Sequence, residues 1–203
     1  LEPRRLYRYG SVAAHVLGYV GEVSEDELAH GAFPGAKTGD MVGKSGVERT
    51  YHQCLVGQDG RRQVMVDSLG REVGLLEDID SVIGGELQLT LDLSLQIAAE
   101  NLLVGKVGVI IDMDPRNGEI LAMASAPSFD PNSFSTRISE QDWNRLINDA
   151  NRPLQNRAIQ NSYPPGSIFK LVRAEAALEE GLIEDGTRIY CAGAAIYYDR
   201  LFH

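Results

Sequence analysis

"VGVIIDMDPRNGEILAMAS", residues 107–125, holds two strongly apolar runs separated by Pro115-Arg116-Asn117-Gly118. Apolar runs of this length, joined by an Asn-Gly pair, predict two central strands of an antiparallel sheet and a hairpin turn between them. Upstream, "GGELQLTLD" (84–92) alternates in the manner of a strand. "SLQIAAENLL" (94–103) then spaces its apolar residues as a helix does, with Thr90 and Asp92 both placed to cap it. Downstream, Pro127, Pro131 and the polar "SFDPNSFSTR" (128–137) interrupt regular structure and predict a surface loop. Ser139 next opens a helix over "EQDWNRLIND" (140–149), with Asp142 at the capping-box position.

The first ninety residues differ in character, with short elements punctuated by glycine. Ser24 with Glu27, and Ser45 with Glu48, have the spacing of two capping boxes; the second would start "GVERTYHQCL" (46–55), which Gly57 would end. "RRQVMVDSLGREVGLL" (61–76) reads as a hairpin around Ser68-Leu69-Gly70. The whole is α+β: a small irregular unit over 1–90, then a sheet-and-helix unit over 91–203, with the boundary falling between 84 and 106.

Composition narrows the function classes. A formal charge of −10 with no clustered Lys or Arg argues against sequence-independent nucleic-acid binding. His15, His30, His52 and His203 show no metal-ligand spacing, which leaves them surface or packing roles and implies no metal site. Cys54 and Cys191 lack redox-pair spacing and could pair only if the fold joined distant segments. No stretch approaches the ~20 apolar residues of a membrane helix. The chain opens without an element signal and stops within the strand-like "YYDRLFH" (197–203), so a fragment is expected.

Chemistry concentrates in "YPPGSIFK" (163–170). Pro164, Pro165 and Gly166 break any preceding helix, whereas "SIFKLVRAEAALEEG" (167–181) is strongly helix-forming until Gly181. Ser167 therefore lies at a first turn, where unpaired amides stabilise negative charge, and Lys170 shares its face. The apolar residues around this helix predict substantial burial, which would favour a neutral lysine able to act as base toward the serine. The competing reading makes Ser167 an N-cap and Lys170 a snorkelling surface residue.

Two other motifs tempt. "GDMVGKSG" (39–46) resembles a phosphate-binding loop, but Gly39 lies one residue too close to Gly43 and no strand precedes it. Lys37-Thr38-Gly39 matches a motif that accompanies Ser-x-x-Lys in penicillin-interacting enzymes, yet it lies in turn chemistry instead of on a strand.

The order of the longer motifs is more specific than any one of them. "YRYGSVAAHVLGYVGEVSEDEL" (7–28), "GDMVGKSGVERTYHQCLVGQDG" (39–60), "LQLTLDLSLQIAAE" (87–100), "GEILAMASAPSFDPNSF" (118–134), "PLQNRAIQNSYPPGSIFK" (153–170) and "AAIYYDRLFH" (194–203) together resemble the class B penicillin-binding proteins, and within them the elongation type. The resemblance implies a peptidoglycan D,D-transpeptidase on the periplasmic side of the bacterial inner membrane, held by an N-terminal helix absent from this chain. It implies a non-catalytic pedestal over 1–90 and the start of a transpeptidase domain over 91–203, whose central helix carries the nucleophile. Ser167 would be the acylated nucleophile and Lys170 its base, with no cofactor.

The implied partners are stem peptides ending in D-Ala-D-Ala, β-lactams, a SEDS-family glycosyltransferase and a rod-shape scaffold protein. Family motifs expected beyond residue 203, Ser-x-Asn and a strand-borne Lys-Thr-Gly, are missing, so the 203-residue chain alone is expected to be inactive. Arg8 replaces a usual proline, Ile168 replaces a usual Thr or Ser, and "ENLLVGKVGV" (100–109) is shorter than the family's connection. Two further readings remain: an interaction module that binds and activates the glycosyltransferase, and a β-lactamase or β-lactam sensor, which shares Ser-x-x-Lys.

Overall fold

The amide of Gln96 meets both main-chain groups of Met123, accepting from its N–H at 2.8 Å and donating to its carbonyl at 3.1 Å. It thereby closes the free edge of a hairpin as a strand would. This is seen in a computed structural model of the chain, which describes residues 4–136, 138–188, 190 and 192–202. Expectations placed on Cys191 and His203 fall outside those residues; Cys54 is an exposed free thiol.

Among the described residues the elements in order are α1 (Ala14–Leu17), β1 (Val20–Glu22), α2 (Glu25–Ala29), β2 (Met41–Gly43), α3 (Gly46–Thr50), α4 (His52–Leu55), β3 (Arg61–Val66) and β4 (Glu72–Ile79). There follow α5 (Leu93–Leu102), β5 (Gly108–Met113), β6 (Ile120–Ala126), α6 (Glu140–Ile147), α7 (Arg157–Gln160), α8 (Phe169–Glu179), β7 (Ala195–Tyr197) and β8 (Arg200–Phe202). The strands form four antiparallel pairs in chain order, so the α+β class with antiparallel sheet holds. Contacts divide the chain into two compact units, Leu1–Asn161 and Ser162–His203.

The hairpin β5–β6 forms as read, with Ile110 opposite Ala124. Among the described residues, however, each strand pairs with the other alone, so the central position expected for them is not seen. The turn is a four-residue loop rather than an Asn-Gly turn: Asp114 N–H donates to Glu119 O, Gly118 N–H donates to Asp114 O, and the Asp114 carboxylate accepts from the Arg116 amide and side chain. Ala122 and Ala124 let α5 approach closely, burying Ala99 and Leu103. Asp92, not Thr90, caps α5 by accepting from Ser94 and Leu95 N–H. Thr90 instead donates its hydroxyl to Ile120 O.

Two expectations fail for identifiable reasons. "GGELQLTLD" keeps its alternation, with Leu87, Leu89 and Leu91 half-buried, yet forms no ladder. Its end meets β6 through Asp92 N–H on Leu121 O and the Thr90 hydroxyl on Ile120 O, and Gln96 takes the next position along that edge, Met123. The "SFDPNSF" segment is not a surface loop: Phe129, Pro131 and Phe134 are buried, and Pro131–Phe134 forms a 3₁₀ turn. Phe129 and Phe134 pack with Ala14, Tyr19, Ile138, Leu146 and Leu154, with the Tyr19 and Phe134 rings 4.2 Å apart. Apolar area outweighs the polar residues between.

The capping boxes also separate. Ser24 and Glu27 form theirs in full at α2. Glu48 does not cap α3; it is buried, takes Arg5 in a bidentate pair at 2.8 and 3.0 Å and accepts from the Tyr7 hydroxyl at 3.2 Å. A charge-assisted, bidentate pair is stronger than a bond to a neutral amide. The run through Leu55 also breaks at Tyr51 into α3 and α4.

Glu27 yields a prediction on acid stability. Its burial pushes the pKa up, but the Lys44 ammonium and the Ser24 amide and hydroxyl outweigh it and bring the value from 4.5 down to about 2. A carboxylate with a depressed folded pKa adds stability that is complete above its unfolded value and is lost as pH falls through its folded one. Glu27→Gln should therefore be less stable than the native chain at neutral pH and lose less between pH 4.5 and about 2. Parallel urea midpoints across that window would show the idea to be wrong.

Candidate active site

Ser167 owes its setting to the residues before it. Pro165 has φ −70° and ψ −19°, Gly166 turns the chain at φ +55°, and Gly166–Ile168 forms one 3₁₀ turn that leads into α8. A Cβ at Gly166 would meet nothing within 4 Å, so glycine is needed there for its backbone angle alone. Gly181 ends α8 in a Schellman arrangement, with its N–H on Leu178 O and that of Leu182 on Ala177 O.

The N-cap alternative for Ser167 can now be judged. Neither the 3₁₀ turn nor α8 has a side-chain cap, so the Ser167 hydroxyl serves no helix end. Lys170 is exposed and has no ion-pair partner among the described residues. Ser167, Lys170 and Arg173 line one open concavity of about 480 Å³ with Pro165, Gly166 and Phe169. Arg173 lies 5.1 Å over the Phe169 ring. It was not singled out from the sequence, although its spacing of three from Lys170 places it on the same face.

Burial is where expectation and structure part. Ile168, Phe169, Leu171, Val172 and Leu178 are all exposed, and among the described residues of this compact unit only Ala177 and Ile183 are even half-buried. Among the described residues the main element packed against α8 is the short 3₁₀ turn. The burial expected for this helix is therefore not seen among the described residues. What the geometry does supply, among the described residues, is a hydroxyl that caps no helix, an amine one turn away and a helix start beside them.

The tempting motifs lie in the other compact unit. Lys37 N–H donates to the Asp40 carboxylate at 2.7 Å and Asp40 N–H returns to Lys37 O at 3.0 Å, which makes Lys37-Thr38-Gly39 a turn. Lys44 of "GKSG" has its ammonium on Glu27, so its charge is already balanced.

Residues 1–89 match the penicillin-binding protein dimerisation domain and residues 108–202 match the penicillin-binding protein transpeptidase domain. The chain is 42% identical over 192 residues to peptidoglycan D,D-transpeptidase MrdA of Salmonella typhimurium, an alignment covering 93% of this chain and 31% of that protein. It resembles the penicillin-binding protein PBP2 solved in complex with MreC from Helicobacter pylori, with TM-score 0.84, 35% identity and coverage of 98% of this chain and 37% of that one. Pseudomonas aeruginosa PBP2 solved with WCK 5153 gives TM-score 0.80, 34% identity and coverage of 98% and 41%. The chain thus spans about a third of the length of the curated relatives it matches. Taken with the serine and lysine at the start of α8, these matches show that the chain belongs to the penicillin-binding proteins, with dimerisation-domain sequence ahead of transpeptidase-domain sequence.

Proposed function

We propose that this chain belongs to a peptidoglycan D,D-transpeptidase of the elongation type, with Ser167 as nucleophile and Lys170 as its base. The observation that carries the reading is the uncapped Ser167 hydroxyl sharing a concavity and a helix face with Lys170. Ser167 Oγ attacks the carbonyl between the two terminal D-alanines of a donor stem peptide, and its proton passes to the Lys170 amine. The tetrahedral oxyanion is held by main-chain amides, that of Ser167 among them. Collapse breaks the peptide bond, and the last D-alanine leaves with the proton. An amine of a neighbouring stem peptide then attacks the ester carbonyl, forms the cross-link and frees the serine. A β-lactam acylates the same oxygen.

On this reading residues 1–90 belong to the pedestal and 91–203 to the transpeptidase domain, facing the periplasm from the inner membrane. The test is incubation of the intact protein with a D-Ala-D-Ala stem peptide and an amine acceptor. Release of D-alanine matched by cross-linked product is expected; turnover of a β-lactam without cross-linking would sink the reading in favour of a β-lactamase.

A second reading is compatible with the first. The likeness to a PBP2 solved with MreC supports a rod-shape scaffold protein as a partner of the first ninety residues. A SEDS-family glycosyltransferase would be the enzyme activated there.

A further inference from the structure

The concavity that holds Ser167 lies wholly within the compact unit Ser162–His203. Two cations, Lys170 and Arg173, line it, and none of its described lining residues is a carboxylate. On the acyl-transfer reading Lys170 takes the serine proton. Arg173 is left to supply a lasting positive charge beside the nucleophile.

Arg173 has no acid to neutralise: among the described residues it forms no ion pair. The contact it does make is with a ring, its guanidinium carbon lying 5.1 Å over Phe169. A cation held over an aromatic face is steadied from one side. The five N–H donors of a guanidinium lie in its plane, so a group held by its face keeps them open to an acceptor. Phe169 is one turn before Arg173 on α8 and two residues after Ser167. The ring contact therefore places the guanidinium back along the helix toward the nucleophile turn, the direction in which helical side chains already lean. A planar fork of this kind fits the two oxygens of a carboxylate.

The acyl donor carries such a group close to the reacting carbon. Its last D-alanine ends in a carboxylate three bonds beyond the carbonyl that Ser167 attacks, a separation of about 3 to 4 Å.

We propose that Arg173 binds the terminal carboxylate of the acyl donor, and the carboxylate of a penicillin in the same way, and thereby favours donors that end in a free acid. The proposal rests on the acyl-transfer reading above. The carboxylate exchanges no bond during acylation, so the contact is made equally in the bound ground state and the transition state. Its loss belongs in the half-saturating concentration and not in the limiting rate.

The experiment follows labelling of the intact protein by a fluorescent penicillin, and by the methyl ester of the same penicillin, at increasing concentration. Arg173 is exposed, so its replacement opens no buried gap in α8. With the free acid, Arg173→Met should need about tenfold more penicillin for half-saturation, at a limiting rate within about twofold of native. Arg173→Lys keeps the charge and should stay within about threefold of native. The methyl ester has no charge to lose and should distinguish Arg173→Met from native by no more than about twofold.

Native half-saturation by the free acid in Arg173→Met would overturn the proposal. So would an equal loss in Arg173→Lys, or a loss as large with the methyl ester as with the acid, which is what a disturbed helix would give. Absence of labelling at Ser167 in the native protein would instead overturn the acyl-transfer reading itself.

Discussion

Replacing Ser167 by alanine in the intact protein is expected to abolish covalent labelling by a fluorescent penicillin, with a loss of at least about 10³-fold in the second-order acylation rate. Removing the oxygen removes the only atom that the mechanism lets attack, and the residual chemistry falls to water. Lys170→Ala should retain the nucleophile but lose its base, slowing acylation by about 10² to 10⁴-fold. Lys170→Arg should not rescue it, because a guanidinium stays protonated and cannot accept the serine proton. Mass spectrometry of the labelled peptide reads the result. Undiminished labelling of Ser167→Ala would remove Ser167 from the mechanism, and a fully active Lys170→Arg would remove proton transfer to that side chain.

Gly18→Ala is expected to be strongly destabilising, although the methyl group lies outside the candidate site. Gly18 has φ +79°, and a Cβ there would stand 1.9 Å from Ser45 O and 2.4 Å from Ser45 C. Opposite it, Gly46 has φ +56°, and its own Cβ would stand 2.4 Å from Val16 O and 2.7 Å from Gly18 N. The end of α1 and the start of α3 thus meet backbone to backbone, and Lys44 N–H donates to Tyr19 O beside them. The substitution combines left-handed strain with a clash against atoms that cannot rotate away, and should cost at least about 3 kcal/mol in chemical denaturation. Gly10→Ala is the control: φ is +59° but nothing lies within 4 Å of its Cβ. It should cost only the backbone part, about 1 to 2 kcal/mol. Equal losses at the two positions would mean that the close approach carries no energy.

Much of the local structure was legible because its causes are local. The α2 capping box, the 61–79 hairpin, the 108–126 hairpin and the helix after Ser139 each depend on residues within a few positions of one another. The serine–lysine spacing and its proline-glycine prefix were legible for the same reason. The misreadings share the opposite cause. Glu48 has capping spacing but pairs with Arg5 and Tyr7, more than forty positions away. "GGELQLTLD" has strand alternation, but it meets β6 only at its end, beside the distant Gln96 amide on Met123. The residues around Phe129 and Phe134 look like loop until Ala14 and Tyr19 arrive from the other end of the chain.

The sequence by itself determined where α2 and α6 start, where the two longer hairpins lie, and that a serine and a lysine share one helix face. Periodicity, caps and turn residues act over one or two turns of chain, so a reader of the sequence has all the partners in view. Only the tertiary structure decided that Ser167 caps nothing, that α8 keeps its apolar side chains exposed in its compact unit, and that His15 and Asn156 meet across 141 positions. Burial and long-range hydrogen bonds depend on which distant surface arrives, and one segment's pattern is compatible with many such arrivals.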